Sequence, residues 1–564
     1  MIGKKTLRLT TAALLAGTTL GAQQASAHRA ADAGSVAITD WQFPAGCNQL
    51  ADASVADQEI CQPMESSLFL IDDKLNYQPD LAVNIPTVKN GGAKVVNGNL
   101  VVTYKIKPNQ KWSDGVAFTV DDIIFSVNAT LATGSTTGLD QIATMQKVDS
   151  NTLRVTYKGI YAPYIAYGTP TQFFPQHYLT KKYGTTDIKT IGQKLVTDLY
   201  NTPKDVFIGP YKLQSYTNGQ SIVTVPNPGY TALSAPNGRL AQLKFVNIAA
   251  DATSLVSALK SPNAGVDKAE DFQPSDLPAL AGSKYRITSQ PALFVEHLEL
   301  DQNGPLKDIR LRQALQYSIN KLTLFKALFP AVPNPSDFIL RTVLPNSSPF
   351  ADKSAPLSQY DPAKAKALLK AAGYSTDYKG PHPLTLRFAT TTSSTRQRAF
   401  QIISRYAAAV GIHMTPTFAS GSPSANNGLF APYSLNGVLT QRRFDVALFA
   451  FSESPDPQQS ESNFNPALIP TAAANHHAAG DQNYTGVADQ DQFSLLSKAG
   501  HVLDAGQRQS LLNKWQTLVN QRTYWIMLYA RSNITADNKA IPNYRANPSQ
   551  QGNEWNAYEW GRAR

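Results

Sequence analysis

Alternating apolar and polar residues mark several stretches early in the chain. The alternation within 100–106 and 153–157 is typical of strands with one buried face, and 34–39 predicts another strand. Two more strands are predicted between 208 and 230. They are joined by an Asn-Gly pair at 218–219, which suits a tight hairpin because both residues tolerate positive φ. The first part of the chain is therefore expected to be rich in β-strands.

Later in the chain, apolar residues recur at spacings of three and four, which is the period of an amphipathic helix. One helix is predicted over 308–325 with Asp308 as its cap, and another over 361–373 with Asp361 as its cap. An earlier helix is predicted from Asp121 onward. Irregular structure or long loops are expected where Pro, aromatic, Ser, Asn or Ala residues accumulate, at 162–183, 420–437 and 454–480.

One region predicts an α/β unit. A strand at 384–389, a helix at 395–409 and a strand at 412–418 follow one another, so the two strands are expected to be parallel with a right-handed crossover. The almost wholly apolar stretch 444–451 fits a buried strand of the same sheet. A helix at about 507–521 and a buried strand at 524–529 complete this part of the chain.

The N-terminus has the three-part layout of a secretory signal. Lys4, Lys5 and Arg8 precede an apolar stretch at 9–20, and a small-x-small site ends at Ala27. This stretch is shorter and less apolar than the roughly 20 residues that a membrane-spanning helix needs. Residues 1–27 are therefore predicted to be a cleaved signal peptide. Lipid anchoring is not expected, because no cysteine follows the apolar stretch closely.

Composition narrows the class of protein. A chain of 564 residues exceeds what one core usually serves, so two or three domains are expected. The net charge of +10 is spread along the chain without a Lys/Arg cluster, so no nucleic-acid partner is expected. Cys47 and Cys61 lie close together in a chain predicted to be exported, which favours a disulfide. The alternative, a two-thiolate metal site, lacks nearby histidines.

No common catalytic signature appears in the sequence. G-x-S-x-G, H-E-x-x-H, C-x-x-C and phosphate-loop motifs are all missing. The pair His476-His477 lies in a Ser/Asn/Ala-rich stretch and is interpreted as part of a solvated loop. No catalytic residue, metal site or cofactor is therefore expected. An exported hydrolase stays open as an alternative, because the sequence alone does not show how far apart its carboxylates lie.

Seven groups of segments, in order along the chain, resemble the bacterial extracellular solute-binding proteins of family 5. These are the oligopeptide-, dipeptide- and nickel-binding subunits of ABC importers. Each segment is weak alone, but together they cover nearly the whole mature chain. The segments are 64–69 with 75–82, 104–128, 209–213 with 227–230, 308–315, 360–374, 444–448 with 456–457, and 483–486.

The resemblance implies an α/β fold of the two-lobed periplasmic-binding-protein type (class II, three domains) with a hinge between the lobes. The ligand would lie between the lobes. Transferred to this chain, the family pattern implies a discontinuous lobe I, a small domain packed on it, and lobe II. The expected boundaries are 28–75, 206–290 and 531–564 for lobe I, 76–205 for the small domain and 291–530 for lobe II.

The resemblance also implies a ligand and its contacts. In the family's peptide binders, a carboxylate receives the peptide's α-ammonium, and the matching position here is Glu453, where aspartate is usual. Three residues earlier these binders often have tryptophan, and this chain has Ala450. Phe451 is expected to be a ligand-binding aromatic beside it. Glu65 lies in a segment that often borders the cleft and is expected to contact the ligand as well.

The function implied is a receptor that binds peptides, with oligopeptides expected, and delivers them to an ABC permease and ATPase complex. A monomer in the periplasm or outside the cell is expected. An oligosaccharide, a metal chelate or another small solute is the alternative ligand for the same fold. Trp112, Trp515, Trp525, Trp555 and Trp560 would offer stacking faces for a sugar.

Overall fold

A ten-stranded mixed sheet is the largest sheet of the molecule. The computed structural model describes residues 34–561 apart from 41–42, 52–54, 135–137, 236–238, 249–251, 262–264, 271, 282, 472–481, 539–540 and 550. The strands are β1 Ser35–Thr39, β2 Phe69–Ile71, β3 Tyr77–Pro79, β4 Ala93–Val96, β5 Asn99–Lys105, β6 Ile142–Asp149, β7 Thr152–Tyr157, β8 Tyr211–Thr217, β9 Ser221–Pro226, β10 Gln242–Val246, β11 Lys268–Ala269, β12 Tyr285–Leu300, β13 Leu384–Thr391, β14 Ile412–Ala419, β15 Val446–Ser452 and β16 Trp525–Asn538.

The large sheet has the order β14-β13-β15-β12-β16-β11-β1-β10-β9-β8. Strands β4, β5, β7 and β6 form a separate antiparallel sheet, and β2 pairs with β3. The helices cover the sheets. They are Val55–Cys61, Val120–Ala132, Tyr164–Tyr167, Gln176–Tyr183, Ile188–Leu195, Ala252–Lys260, Leu277–Leu280, Ile309–Ser318, Lys321–Leu328, Pro362–Ala371, Ser394–Ala408, Glu461–Phe464, Gln490–Ala499 and Ala505–Arg522.

Two long antiparallel strands, β12 and β16, join the two ends of the large sheet. Their pairing is regular from Tyr285 to Pro291 and resumes at Val295, with a register shift between. On one side of this shift β12 also pairs with β15, and on the other side β16 also pairs with β11. An irregular ladder is a point where two paired strands bend, as a hinge requires.

Separate apolar cores lie on either side of these strands. One core packs β1, β8, β9 and β10 with the C-terminal segment, and another fills the small four-stranded sheet. Further clusters pack the helices against β12–β16. The mixed α/β architecture agrees with the expected two-lobed, three-domain fold class. The boundaries 290/291 and 530/531 remain predictions, although the register shift lies next to both.

Most of the predicted elements are present. Strands β1, β5 and β7, the β8–β9 hairpin, the helix Pro362–Ala371 and the parallel pair β13–β14 around the helix Ser394–Ala408 are confirmed. The buried strand at 444–451 is β15, in the same sheet. In the hairpin only Gly219 has positive φ, so the turn needs the special conformation at one residue rather than at both.

Several predictions were wrong at the level of single elements. The helix expected over 308–325 is two helices, because Asn320 accepts a hydrogen bond from the Thr323 N–H and starts a second one. The stretch 162–183 is not irregular, since it holds the helix Gln176–Tyr183, which buries Leu179. The segment 454–480 contains the helix Glu461–Phe464, and His476-His477 lies outside the described residues.

Candidate functional site

The candidate site lies where three parallel strands of the large sheet end. Strand β13 is parallel to both β14 and β15, so their carboxyl ends, Thr391, Ala419 and Ser452, share one edge. Ligand crevices in open α/β sheets lie outside the carboxyl ends of strands. Glu453 follows β15 directly, and the irregular part of the long β12–β16 pair lies beside it.

Glu453 is a buried carboxyl group with little to balance its charge. Its residue is 2% exposed, and its backbone N–H donates to the Leu293 carbonyl at 2.7 Å. The Ser460 hydroxyl donates to Glu453 Oε2 at 2.9 Å. Burial raises the pKa of Glu453 to about 8, because this one hydroxyl offsets the loss of water only in part.

Segments far apart in sequence meet around this carboxyl group. Leu293 also donates its N–H to the Pro548 carbonyl at 3.1 Å, which ties β12 to the C-terminal segment. The Tyr167 hydroxyl donates to the Asp456 carbonyl at 3.0 Å, and the Ala162 N–H donates to the Gly500 carbonyl at 2.7 Å. The loop after Glu453 thus contacts the region of the small sheet as well as the strands of the large one.

The loop that carries Glu453 is fixed by a buried ion pair. Asp456 accepts hydrogen bonds from Nη1 and Nη2 of Arg508, each at 2.8 Å, and also caps the turn that follows by accepting from the Gln458 N–H. A bidentate pair of this kind holds a planar geometry as well as a charge. The backbone that places Glu453 is therefore held from its C-terminal side.

A second buried carboxylate, Glu296, lies on β12 beside the same irregularity. Arg396 donates to Glu296 through Nη2 at 2.9 Å, and Arg531 donates through Nε at 2.9 Å. Burial alone would raise the pKa of Glu296, but the charges of Arg531 and Arg396 lower it to about 2. Glu296 is thus ionised and balanced, in contrast to Glu453.

Phe451 lies inside an aromatic stack. Its ring is nearly parallel to those of His297, Trp525 and Tyr484, with centroid distances of 5.3, 5.3 and 6.3 Å. These contacts are packing contacts of the sheet face. The residue as a whole is nevertheless half-buried rather than buried, and Ser452 and Glu453 follow it in the chain.

Glu65 belongs to a different cluster. It is buried and accepts hydrogen bonds from Gln49 Nε2 at 2.6 Å and from Gln172 Nε2 at 2.8 Å. Burial raises its pKa well above the usual range, the charge of Asp57 adds to this effect, and the bond from Gln49 opposes it. The structure therefore does not bring Glu65 into the hydrogen bonds that surround Glu453.

The two cysteines form the expected disulfide, which lies close to the Glu65 cluster. Cys47 and Cys61 are bonded with an S–S distance of 1.98 Å, and Gln172 Nε2 donates to the Cys47 carbonyl at 3.0 Å. Asp57 lies near both sulfur atoms. Because the sulfurs are bonded to each other, neither is a thiolate that could ligate a metal ion.

Sequence reasoning missed Glu296, Arg396, Arg531 and Ser460. A signal for one of them exists, since Glu296 interrupts the largely apolar stretch 292–300, and a charged residue within a buried strand requires a partner. Nothing in the pattern identifies which partner it has. Among the described residues, no helix is both long and apolar enough to cross a membrane.

Comparison with known proteins gives a consistent result. The family described as bacterial extracellular solute-binding proteins, family 5 Middle, matches residues 76–474. A putative ABC transporter peptide-binding protein of Brucella ovis is 24% identical over 422 residues, which is 72% of each chain. Both findings concern sequence, and the range matched by the family includes Glu296, Arg396 and Glu453.

Solved structures share the fold. The oligopeptide-binding protein AppA of Bacillus subtilis, in complex with a nonapeptide, has a TM-score of 0.68 at 18% identity and covers 94% of this chain and 99% of its own. NikZ of Campylobacter jejuni, in complex with Ni(L-His), has a TM-score of 0.72 at 19% identity and covers 94% and 100%. At this identity the likeness concerns the fold and not the ligand.

Proposed function

Because this chain belongs to family 5 of the bacterial extracellular solute-binding proteins, we propose that it binds peptides between two lobes and delivers them to an ABC permease and ATPase complex. The Brucella relative, a putative peptide-binding protein, supports a peptide rather than another solute. Members of this family are receptors, and we assign no catalytic step to this chain. The ligand is released unchanged.

The observation that carries the proposal is the state of Glu453. A carboxyl group that is buried, bonded to a single hydroxyl among the described residues and raised in pKa to about 8 is destabilised as a charge. A peptide α-ammonium is the cation that would pair it, with the peptide backbone held along the lobe edges. Binding would then lower the pKa of Glu453 and release a proton near neutral pH.

The lobes are assigned as the family pattern implies. Lobe I is 28–75, 206–290 and 531–564, the small domain is 76–205, and lobe II is 291–530. The register shift after Pro291, opposite Ser532, supports a hinge there. In this arrangement Phe451 would contact the ligand beside Glu453. Glu65, held by Gln49 and Gln172, would border the cleft from lobe I.

The site of action proposed is outside the cytoplasm, as a monomer. The family is extracellular, which supports this location. Export through residues 1–27 lies outside the described residues and is tested by comparing the N-terminus of the mature protein with His28. An N-terminus at Met1 in the cytoplasmic fraction would contradict export.

The experiment that tests the ligand compares pentaalanine with its N-acetylated form by calorimetry. We expect the acetylated peptide to bind at least about tenfold more weakly, since acetylation removes the charge that pairs with Glu453. The variant Glu453→Gln should lose the same factor for the free peptide and should abolish proton release at pH 7. Glu461→Gln, which changes a carboxyl group eight residues further on, is the matched control and should bind normally.

Equal affinities for the two peptides would show that the α-ammonium is not the recognised group. The ligand class itself is tested by native mass spectrometry of the protein purified without refolding. A carried-over peptide mixture is expected. A sugar, a metal chelate or another small solute as the dominant bound species would overturn the peptide assignment.

A further inference from the structure

The cluster around Glu296 holds more positive than negative charge. One carboxylate, Glu296, faces two guanidinium groups, Arg396 and Arg531. Arg396 is nearly buried and also donates to the Thr391 hydroxyl at 3.1 Å, so its hydrogen bonds hold it to lobe II. Among the described residues, one positive charge in the cluster is therefore left without a balancing carboxylate, and Arg531 is its more exposed carrier.

Arg531 has hydrogen-bonding capacity that the protein does not use. Its Nε and Nη2 both contact the same oxygen, Glu296 Oε1, at 2.9 and 2.8 Å. Among the described residues no partner bonds its Nη1, and the side chain is 43% exposed. A guanidinium with a free edge is suited to bind a carboxylate through two parallel hydrogen bonds.

The position of Arg531 places this free edge next to the proposed ligand site. Arg531 lies in the interval where the β12–β16 register shifts, and its guanidinium stands over the ring of Phe294 at 5.5 Å. Phe294 pairs with Ser452, the residue before Glu453. Arg531 therefore contacts the β12 residue whose partner on β15 directly precedes Glu453.

Space for a ligand group is provided by a small residue. Ala450 lies directly opposite Glu296 in the β12–β15 register and is only half-buried. Residues opposite one another in an antiparallel pair project on the same face of the sheet. A methyl group here leaves the region beside Glu296 and its arginines open, where a large side chain would cover it.

We propose that Arg531, with Ala450 beside it, forms a subsite that selects ligands carrying a carboxylate. This inference rests on the proposed function and deepens it, since it assigns the ligand two charges of opposite sign: an ammonium at Glu453 and a carboxylate at Arg531. The carboxylate belongs either to an acidic side chain or to the C-terminus of the peptide. Arg396 keeps Glu296 balanced while Arg531 turns to the ligand.

The test measures the affinity of the full mature protein for matched peptide pairs. One arm replaces each residue of pentaalanine in turn by Glu or by Gln, and the other compares the free C-terminus with its amide. We expect the wild type to prefer the carboxylate in one pair by about tenfold, the effect of one charge-assisted contact. Arg531→Gln should remove this preference, and Arg531→Lys should keep part of it.

Controls separate a specific subsite from a general charge effect. Arg398→Gln changes an exposed arginine on the helix of Arg396 and should leave the preference intact. Ala450→Trp keeps both arginines, fills the space beside Glu296 and should abolish the preference. It replaces Arg531→Gln as the test if circular dichroism shows that Arg531→Gln folds poorly.

Binding without any difference within the pairs, or a preference that survives Arg531→Gln and Ala450→Trp, overturns the subsite and leaves the peptide receptor standing. Absence of binding by every peptide overturns both.

Discussion

Glu453 and Glu296 are alike in burial and opposite in electrostatics. Their residues are 2% and 4% exposed, and both lie close in the chain or in strand pairing to the register shift between β12 and β16. Around Glu296, two guanidinium groups lower the pKa to about 2, whereas around Glu453 one hydroxyl leaves the pKa at about 8. Neighbouring charges, rather than depth, decide whether a buried carboxyl group is ionised.

The difference separates two roles. A buried ion pair that is complete within the chain holds its surroundings in one arrangement, and removing a partner is costly. A buried carboxyl group without a cation is instead available to a ligand that brings one. The same edge of the sheet thus carries one carboxylate that is paired with cations of the chain and one carboxyl group that is not, and the proposed ligand would pair the second.

The largest change in stability is expected from removing Arg396. Arg396→Ala leaves Glu296 with the exposed Arg531 alone, and we expect a loss of about 3 kcal/mol in the free energy of unfolding, because the buried carboxylate loses its hydrogen bonds from Arg396. Urea denaturation at pH 7 measures it. Arg398→Ala on the same helix is the control and should change stability by about 0.5 kcal/mol or less. Equal effects of the two variants would mean that Glu296 does not depend on Arg396.

The pH dependence of stability should distinguish the two carboxyl groups. The pKa of Glu453 is about 8 in the folded chain and near its ordinary 4.5 when unfolded. Between these two values the folded chain keeps a proton that the unfolded chain releases, so the free energy of unfolding falls as pH rises and levels off above pH 8. The stability of the wild type relative to Glu453→Gln should therefore fall by about 3 kcal/mol between pH 5 and 7.5.

Glu296 has the opposite sign and another window. Its folded pKa of about 2 lies below the ordinary 4.5, so its contribution is present above pH 4.5 and is lost as pH falls toward 2. The free energy of unfolding of Glu296→Gln, plotted against pH, should run parallel to that of the wild type between pH 5 and 7.5. Parallel curves for Glu453→Gln as well would show that Glu453 titrates normally.

The smallest change in stability is expected from removing the Ser460 hydroxyl. Ser460→Ala removes the hydroxyl bonded to Glu453 Oε2, and we expect a loss of about 1 kcal/mol in stability, together with a higher pH midpoint for the Glu453 effect. The same denaturation series measures both. Ser462→Ala, which removes a half-buried hydroxyl that donates to the Gln459 carbonyl and not to Glu453, is the control and should leave the midpoint unchanged. A lowered midpoint in Ser460→Ala would contradict the hydrogen bond from the Ser460 hydroxyl to Glu453.

Local elements were predictable where local chemistry decides them. Asp361 caps its helix by accepting from the Lys364 N–H, and Gly373 follows that helix with φ of 86°, as the sequence indicates. The strand–helix–strand unit was predictable because its apolar periods are unambiguous. The 16-residue strand β12 was not predicted, since its N-terminal half is polar and is ordered by pairing with β16 along its length.

The site was predictable only in part. Glu453 and Phe451 were identified through family resemblance, but burial and stacking of these side chains depend on residues such as Ser460 and Trp525 that no local pattern connects to them. Glu65 was also identified, and the structure places it in another hydrogen-bonded cluster. The arginines of the Glu296 cluster were missed because their partner lies 100 and 235 positions away.

By itself, the sequence determined the helices and strands with strong periods, the disulfide between two nearby cysteines and the family to which the chain belongs. These depend on neighbouring residues or on motifs in fixed order. Only the tertiary structure decided which buried carboxyl group is paired with guanidinium groups and which is bonded to a hydroxyl alone among the described residues. That outcome depends on charges brought together from distant parts of the chain, and in a buried site the energy of a charge is set by whatever lies within a few ångströms of it.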